Sequence, residues 1–139
     1  ALFRMAGIEA TLSRNISAVI WEKFIFLSPI ATATSYYDKC IGDILSNTES
    51  HATLVALVAE VMSVAMARGI EVAQDIQSRT MQKYASLPYE TTSSMHRDFI
   101  SRKRDTELQT LTGYVVEEGR RWHVPTPVYE RLFKELEGR

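Results

Sequence analysis

The chain has little cysteine, no excess of charge of one sign and no long hydrophobic run. Its single cysteine, Cys40, excludes an internal disulfide framework and fits a reducing, cytoplasmic compartment. A formal net charge of −1 over 139 residues produces no general field that would attract nucleic acid or an anionic membrane. The apolar run at 24–33 contains Pro29 and is too short to span a bilayer. We therefore expect neither nucleic acid nor a membrane among the partners.

The common motifs of catalysis and phosphate binding are also missing. There is no glycine-rich dinucleotide turn, no P-loop and no G-x-S-x-G elbow. His51, His96 and His123 are scattered, and none has a second ligand one helical turn away, so no metal site is expected. The run Arg102-Lys103-Arg104 has no interleaved aromatic residues and is most often a solvated loop.

Helical periodicity is the pattern that is present. Apolar residues recur every three to four positions in successive segments, which predicts an all-α bundle of six or seven helices. The expected helices cover residues 15–28, 30–37, 48–68, 73–85, 93–101, 106–122 and 127–136.

Several helix boundaries can be assigned from local signals. Ser13 or Asn15 would cap the first helix, and Pro29 would end or kink it near residue 28. Ser46 begins a capping box, S-N-T-E, before the longest apolar helix, and Gly69 suits its end.

Other signals mark the remaining boundaries. Gly42 predicts a turn, and Thr106 would open a second capping box. Thr126 and Pro127 have the order of an N-cap and a first helical residue. Only the first dozen residues have strand character, through the weak alternation at 8–12.

Three groups are candidates for chemistry. Lys23 directly precedes the apolar run, where an ammonium is costly unless partnered and can serve in proton transfer. The alternative is a lysine that keeps its head in water while its stem lies along the helix. Ser94, at a helix start, could contact an anionic ligand; the alternative is that Ser93 or Ser94 is only the helix cap. Glu107 lies in a first helical turn, where a carboxylate is favoured anyway.

Five ordered blocks of sequence connect these candidates. The blocks are Trp21-Glu22-Lys23, Ala67-Arg68-Gly69-Ile70, Ser93-Ser94-Met95-His96-Arg97-Asp98, Thr106-Glu107-Leu108 and Val124-Pro125-Thr126-Pro127. In this order and spacing they resemble the C-terminal domain of the ketopantoate reductases (2-dehydropantoate 2-reductases). The leader Ala6-Gly7-Ile8 also resembles that family's connector between domains. The resemblance covers nearly the whole chain.

The resemblance implies the C-terminal domain of a two-domain oxidoreductase. Residues 1–14 would end the interdomain connector, and residues 15–139 would form a helical substrate domain similar to that of 6-phosphogluconate dehydrogenase. An N-terminal Rossmann domain, absent from this chain, would bind NADPH, so the fragment alone is expected to be inactive. The complete enzyme would reduce ketopantoate, or a related 2-oxo acid or ketone, on the route to pantothenate. Its own Rossmann domain would be the main protein partner, and a homodimer is allowed.

The same resemblance implies a role for each candidate residue. Lys23 would be the general acid that protonates the ketone oxygen of the substrate. Ser94 would contact the substrate. Glu107 would contact the cofactor side of the cleft and help to set the environment of the lysine.

The chain departs from the family at several polar positions. Family members often carry asparagine where this sequence has Leu27, Ala31, Ile41 and Thr91. The Asn-Gly that follows Thr-Glu in the family is Thr112-Gly113 here, and the loop before Glu107 is one residue longer. Lost hydrogen-bond partners change specificity steeply, so a more apolar 2-oxo acid or another ketone is a second candidate substrate. The rival interpretation is a non-catalytic helical interaction or dimerisation module that kept the fold.

Overall fold

The computed structural model describes residues 2–102 and 107–139, and for residues 2–15 it describes the backbone alone. Seven α-helices and one π-helical segment make up the described part, which contains no strand, so the all-α prediction is confirmed. In chain order they are α1 (Leu2–Tyr37), α2 (Ile41–Ser46), α3 (Thr48–Ala67), α4 (Ile76–Ser86), α5 (Ser94–Ile100), the π segment (Leu108–Gly113), α6 (Tyr114–Arg121) and α7 (Pro127–Glu137).

Helix α1 corrects two predictions about the start of the chain. Its backbone is helical from Leu2, so the weak strand at 8–12 and the caps at Ser13 or Asn15 were wrong. A β-strand is stable only when it pairs with other strands. A helix that has already formed is easily extended, because each further residue that loses backbone entropy also gains one backbone hydrogen bond. The predicted domain boundary between residues 14 and 15 lies within this helix and stays a prediction.

Pro29 lies inside α1 and does not end it. A proline in a helix interior removes one backbone hydrogen bond and costs about 3 kcal/mol. Burial offsets this cost, because every residue from Ser28 to Ser35 is buried. The hydroxyl of Tyr84 also donates to the Phe26 carbonyl, in the turn that the proline perturbs. Tertiary packing therefore stabilises a continuous helix across a proline that local sequence rules predict to end it.

Helix α3 is the centre of the bundle, as its broad apolar surface predicts. Its buried side chains are Ser50, Thr53, Leu54, Leu57, Val58, Val61, Val64 and Ala65, and they pack mainly against α1. Gly69 follows its end with a φ of 81°, which confirms the predicted C-terminal glycine. The cap is Asn47 rather than Ser46, because Asn47 Oδ1 accepts from the amides of Glu49 and Ser50 at 3.0 and 3.2 Å.

Two further boundaries differ from the sequence prediction. Gly42 does not form a turn; it lies in α2, and a Cβ there would come within 2.4 Å of the Tyr89 ring. Close packing on that ring is what requires glycine at this position. The helix expected from Thr106 begins instead with the π segment, and Thr106 itself lies outside the described residues.

Helix α7 begins at Pro127 as predicted, but its cap comes from another helix. Thr126 makes no side-chain cap. Glu60 of α3 does so, because its two carboxylate oxygens accept from the amides of Val128 and Tyr129 at 3.1 and 3.0 Å. Burial raises the pKa of the Glu60 carboxyl above its ordinary value.

Two stretches, Ile16–Tyr37 and Thr48–Ala67, are long and apolar enough to cross a membrane by length and composition alone. The core helices of water-soluble proteins meet the same criterion, and parts of both stretches form the core of this bundle. This finding is weak evidence for a membrane protein.

Candidate functional site

Lys23 lies on α1 with its side chain exposed. The apolar surroundings expected from its neighbours are therefore not supplied to Lys23 by this domain, although Trp21 and Ile25 on either side of it are buried. Lys23 lines a cavity of about 360 Å³ between α1 and the end of α4. Lys83 and Ser86 line the opposite side of this cavity, which we call the lysine cavity.

Ser94 and Glu107 are brought together although 13 residues separate them. Ser93, not Ser94, caps α5, because its Oγ accepts from the His96 amide at 3.0 Å. Ser94 is thus free of the capping role, and its hydroxyl donates to Glu107 Oε1 at 2.8 Å. Both side chains are exposed, and Glu107 directly precedes the π segment.

Ser94 and Glu107 line a second cavity of about 260 Å³, between α1, α5 and the π segment. We call it the serine cavity. It shares Phe26 and Leu87 with the lysine cavity, so the two hollows adjoin along α1. The three predicted site residues consequently lie along one surface, with Lys23 in the first hollow and the other two in the second.

The positions that depart from the family divide into two groups. Leu27, Ala31 and Thr91 line the serine cavity. Ile41 does not; its side chain is buried in the core at the start of α2, and its amide donates to the Thr91 carbonyl at 2.8 Å. The substitutions at 27 and 31 therefore change the wall of the hollow, whereas Ile41 supports it from behind.

Buried hydroxyl pairs fix α1 beneath the serine cavity. Thr32 Oγ1 lies 2.7 Å from Thr112 Oγ1 in the π segment. Ser28 Oγ donates to the Leu111 carbonyl and lies 2.8 Å from the Tyr129 hydroxyl of α7. Because the serine proton is used on Leu111, the tyrosine must be the donor of the second bond. Burial raises the pKa of Tyr129 well above its ordinary value, so the phenol remains a donor.

The start of α5 is attached to the end of α1 by a histidine. His96 is buried, and its Nε2 lies 2.7 Å from Asp38 Oδ1. Asp38 adopts a left-handed backbone conformation with a φ of 53° just after α1 ends. This contact fixes α5, and with it Ser94, relative to α1.

Sequence reasoning missed two cations on this surface. Arg97 lines the serine cavity and Lys83 the lysine cavity. The signal for Arg97 was available, because it follows Ser94 by three residues on a helix and so shares its face. Lys83 has no such local signal, since it belongs to a different helix. Among the described residues no group of three or more His, Cys, Asp or Glu side chains could hold a metal ion.

Comparison with known proteins gives the family. The family described as "Ketopantoate reductase PanE/ApbA C terminal" matches residues 15–139. This chain belongs to the ketopantoate reductase family. The matched region is the helical C-terminal domain of these oxidoreductases, in agreement with the all-α fold.

Individual relatives agree with this assignment. The chain is 30% identical over 132 residues to a 2-dehydropantoate 2-reductase of Halobacterium salinarum, covering 95% of this chain and 43% of that protein. It is 26% identical over 129 residues to an uncharacterized oxidoreductase of Bacillus subtilis, covering 93% of this chain and 42% of that protein. The chain thus spans less than half the length of each of these two relatives.

A solved structure shows the same fold. A ketopantoate reductase of Staphylococcus aureus, described as dimeric, superposes with a TM-score of 0.81 at 22% identity, over 88% of this chain and 43% of that one. At this identity the likeness concerns the fold of the ketopantoate reductase domain alone.

Proposed function

We propose that this chain is the substrate domain of an NADPH-dependent reductase that converts ketopantoate, or a related 2-oxo acid or ketone, to the 2-hydroxy acid. The observation that carries the proposal is the 2.8 Å hydrogen bond between Ser94 and Glu107 beside the helix that bears Lys23. Family membership accounts for the fold, but this contact assembles distant polar residues at a hollow large enough for a small molecule.

Lys23 is the general acid in this proposal. Its ammonium is exposed at the lysine cavity, where it can donate a proton to the ketone oxygen of a bound substrate. An alkoxide that develops beside an ammonium is stabilised and then neutralised by proton transfer. The second domain would supply the desolvation that this domain does not, since closing an active site expels water.

Ser94 and Glu107 orient the reactants in this proposal. The Ser94 hydroxyl can turn from Glu107 to a substrate oxygen, because a hydroxyl rotates to suit its acceptor. Glu107 is an exposed carboxylate, whose oxygens suit the hydroxyl or amide donors of a nicotinamide nucleotide. NADPH, when bound, supplies the hydride. The described residues contribute no glycine-rich phosphate turn, so most of the contacts to NADPH would come from a Rossmann domain.

Partners and location follow from the same proposal. A Rossmann domain of the same protein would cover the surface that carries both cavities, and the relatives are long enough to contain one. A homodimer is a further expected assembly, the reaction would serve pantothenate synthesis, and the protein would work in the cytoplasm.

Lys23→Ala in the complete protein tests the catalytic proposal. We expect kcat for 2-oxo acid reduction with NADPH to fall by about 10²- to 10⁴-fold, because general acid catalysis typically contributes that much. Lys134→Ala, at an exposed lysine on α7, is the matched control and should leave the rate unchanged. Wild-type ketone reduction by Lys23→Ala would disprove the assigned role.

A second candidate function is a non-catalytic interaction module. Exposed apolar side chains on α1 favour it, since Ile16, Val19 and Ile20 are 58, 60 and 59% exposed. The two candidates differ in a simple assay of the complete protein. Bound NADPH without turnover of any 2-oxo acid would favour the module, and turnover would favour the enzyme. Sedimentation of the 139-residue chain should show self-association through this face; a clean monomer at high concentration would contradict that expectation.

A further inference from the structure

The serine cavity has two chemically different sides. The side formed by α1 and the π segment consists of Leu27, Ile30, Ala31 and Leu111, whose side chains have no hydrogen-bonding group. The other side carries Ser94 and Arg97 of α5 together with Glu107, which precedes the π segment and accepts a hydrogen bond from Ser94. A ligand that fits both sides must have an apolar part and a polar part.

Hydroxyls near the apolar side are already engaged within the protein. Ser93 Oγ lies 2.8 Å from Thr34 Oγ1 and also accepts from the His96 amide. Thr91 Oγ1 donates to the Pro88 carbonyl at 2.7 Å. A substrate hydroxyl placed against Leu27 and Ala31 would lose its water without gaining a partner from those residues, which is unfavourable.

Arg97 is the cation among the described residues that line this cavity. It follows Ser94 by three residues on α5, and within the part of the chain that the structure describes its Nη1 donates a long hydrogen bond of 3.4 Å to Thr92 Oγ1. A guanidinium presents several donors in a fork that matches a carboxylate. Glu107, the anion of the cavity, accepts from Ser94 and repels a second carboxylate, so an acidic ligand group is favoured on Arg97.

We infer that the substrate is a 2-oxo acid with an apolar side chain, which packs against Leu27 and Ala31 while its carboxylate binds Arg97. This inference rests on the proposed reductase function and names its substrate class. It makes Leu27 a specificity-determining residue and Arg97 a substrate-binding residue.

A matched substrate pair tests the apolar wall. Ketopantoate and 3,3-dimethyl-2-oxobutanoate differ by one hydroxyl, and the complete protein should show at least about a tenfold higher kcat/KM for the compound that lacks it. Leu27→Asn should reduce this ratio, whereas Leu27→Met should keep it. Leu27 is 48% exposed, so both variants should fold. A preference for ketopantoate in the wild-type protein would overturn the inference and leave the proposed reductase function standing.

Arg97 is tested by comparing an acid with its neutral analogue. In Arg97→Leu, kcat/KM for 3,3-dimethyl-2-oxobutanoate should fall at least about tenfold, and that for the corresponding primary amide should stay unchanged. Arg97→Lys should restore part of the preference for the acid. Equal loss with acid and amide, or a rise confined to the KM for NADPH, would overturn the role of Arg97. Failure to reduce any 2-oxo acid would instead reject the proposed function, and this inference with it.

Discussion

The two parts of α1 on either side of residue 28 have opposite environments. From Ser28 to Ser35 every residue is buried, and three hydroxyls in this stretch, those of Ser28, Thr32 and Thr34, bond to α7, to the π segment and to the cap of α5. Between residues 16 and 27 only Trp21 and Ile25 are buried, and the outer face carries Lys23 and exposed apolar side chains. One continuous helix thus connects a fixed base in the core to an exposed surface.

This difference shows how the candidate site is positioned. The serine cavity opens where α1 leaves the core, since Leu27 is half exposed and Ala31 is buried. A helix held rigidly at its base presents its outer side chains with little freedom, as a binding site requires. Lys23 lies just over one helical turn before the buried stretch. Its position is therefore set by the contacts of residues 28–35 and not by contacts of its own side chain.

The largest expected contrast comes from two isoleucines of the exposed part of α1. Ile25 is fully buried and Ile20 is 59% exposed. Ile25→Ala should lower the free energy of unfolding of the 139-residue chain by about 2–5 kcal/mol, because it leaves a cavity in the core. Ile20→Ala should change it by at most about 0.5 kcal/mol. Urea denaturation measures both, and equal effects would mean that the outer part of α1 does not pack as described.

A smaller effect is expected from the two hydrogen bonds of the Ser28 hydroxyl, which join α1 to the π segment and to α7. Ser28→Ala leaves both the Tyr129 hydroxyl and the Leu111 carbonyl without this partner and should cost about 1–3 kcal/mol of unfolding free energy.

Tyr129→Phe is the informative comparison for that variant. It removes only the donor to Ser28 and should cost less than Ser28→Ala. The reverse order in urea denaturation would contradict the direction assigned to these hydrogen bonds.

The smallest effect concerns Glu60, which holds the first turn of α7 against α3. Glu60→Gln has only one acceptor oxygen for two backbone amides and should cost about 0.5–2 kcal/mol, as loss of a helix cap does. Glu137→Gln, at an exposed glutamate at the far end of α7, is the control.

The Glu60 effect has a defined pH dependence. Burial raises the folded-state pKa of Glu60, so the chain takes up a proton on folding. The stability that this provides is complete below the ordinary glutamate pKa of about 4.3 and is lost as pH rises through the raised folded-state pKa. Thermal unfolding should therefore show the advantage of wild type over Glu60→Gln shrinking with rising pH in that window. A growing advantage would mean that the two backbone amides outweigh burial.

The sequence predicted the helical class and most helix positions because the core faces are strongly periodic. Three correct predictions rest on local patterns: the apolar face of α3, the glycine after it and the proline that starts α7. Such patterns act through neighbouring residues and do not depend on how distant segments pack. Pro29, Asn47 and Gly42 were misjudged for one reason. A proline within a helix, the choice between neighbouring caps and a glycine beneath an aromatic ring depend on packing or geometry that spacing does not encode.

For the candidate site, the sequence by itself determined the residue types and their order along the chain. Lys23, Ser94 and Glu107 stand in blocks whose spacing indicates the family, and the match over residues 15–139 confirmed that family. Only the tertiary structure decided which of them meet, since Ser94 bonds to Glu107 while Lys23 lines the adjoining cavity. It also placed Lys83 opposite Lys23. Side chains on different helices come together through the packing of whole faces, so no local spacing contains their distance.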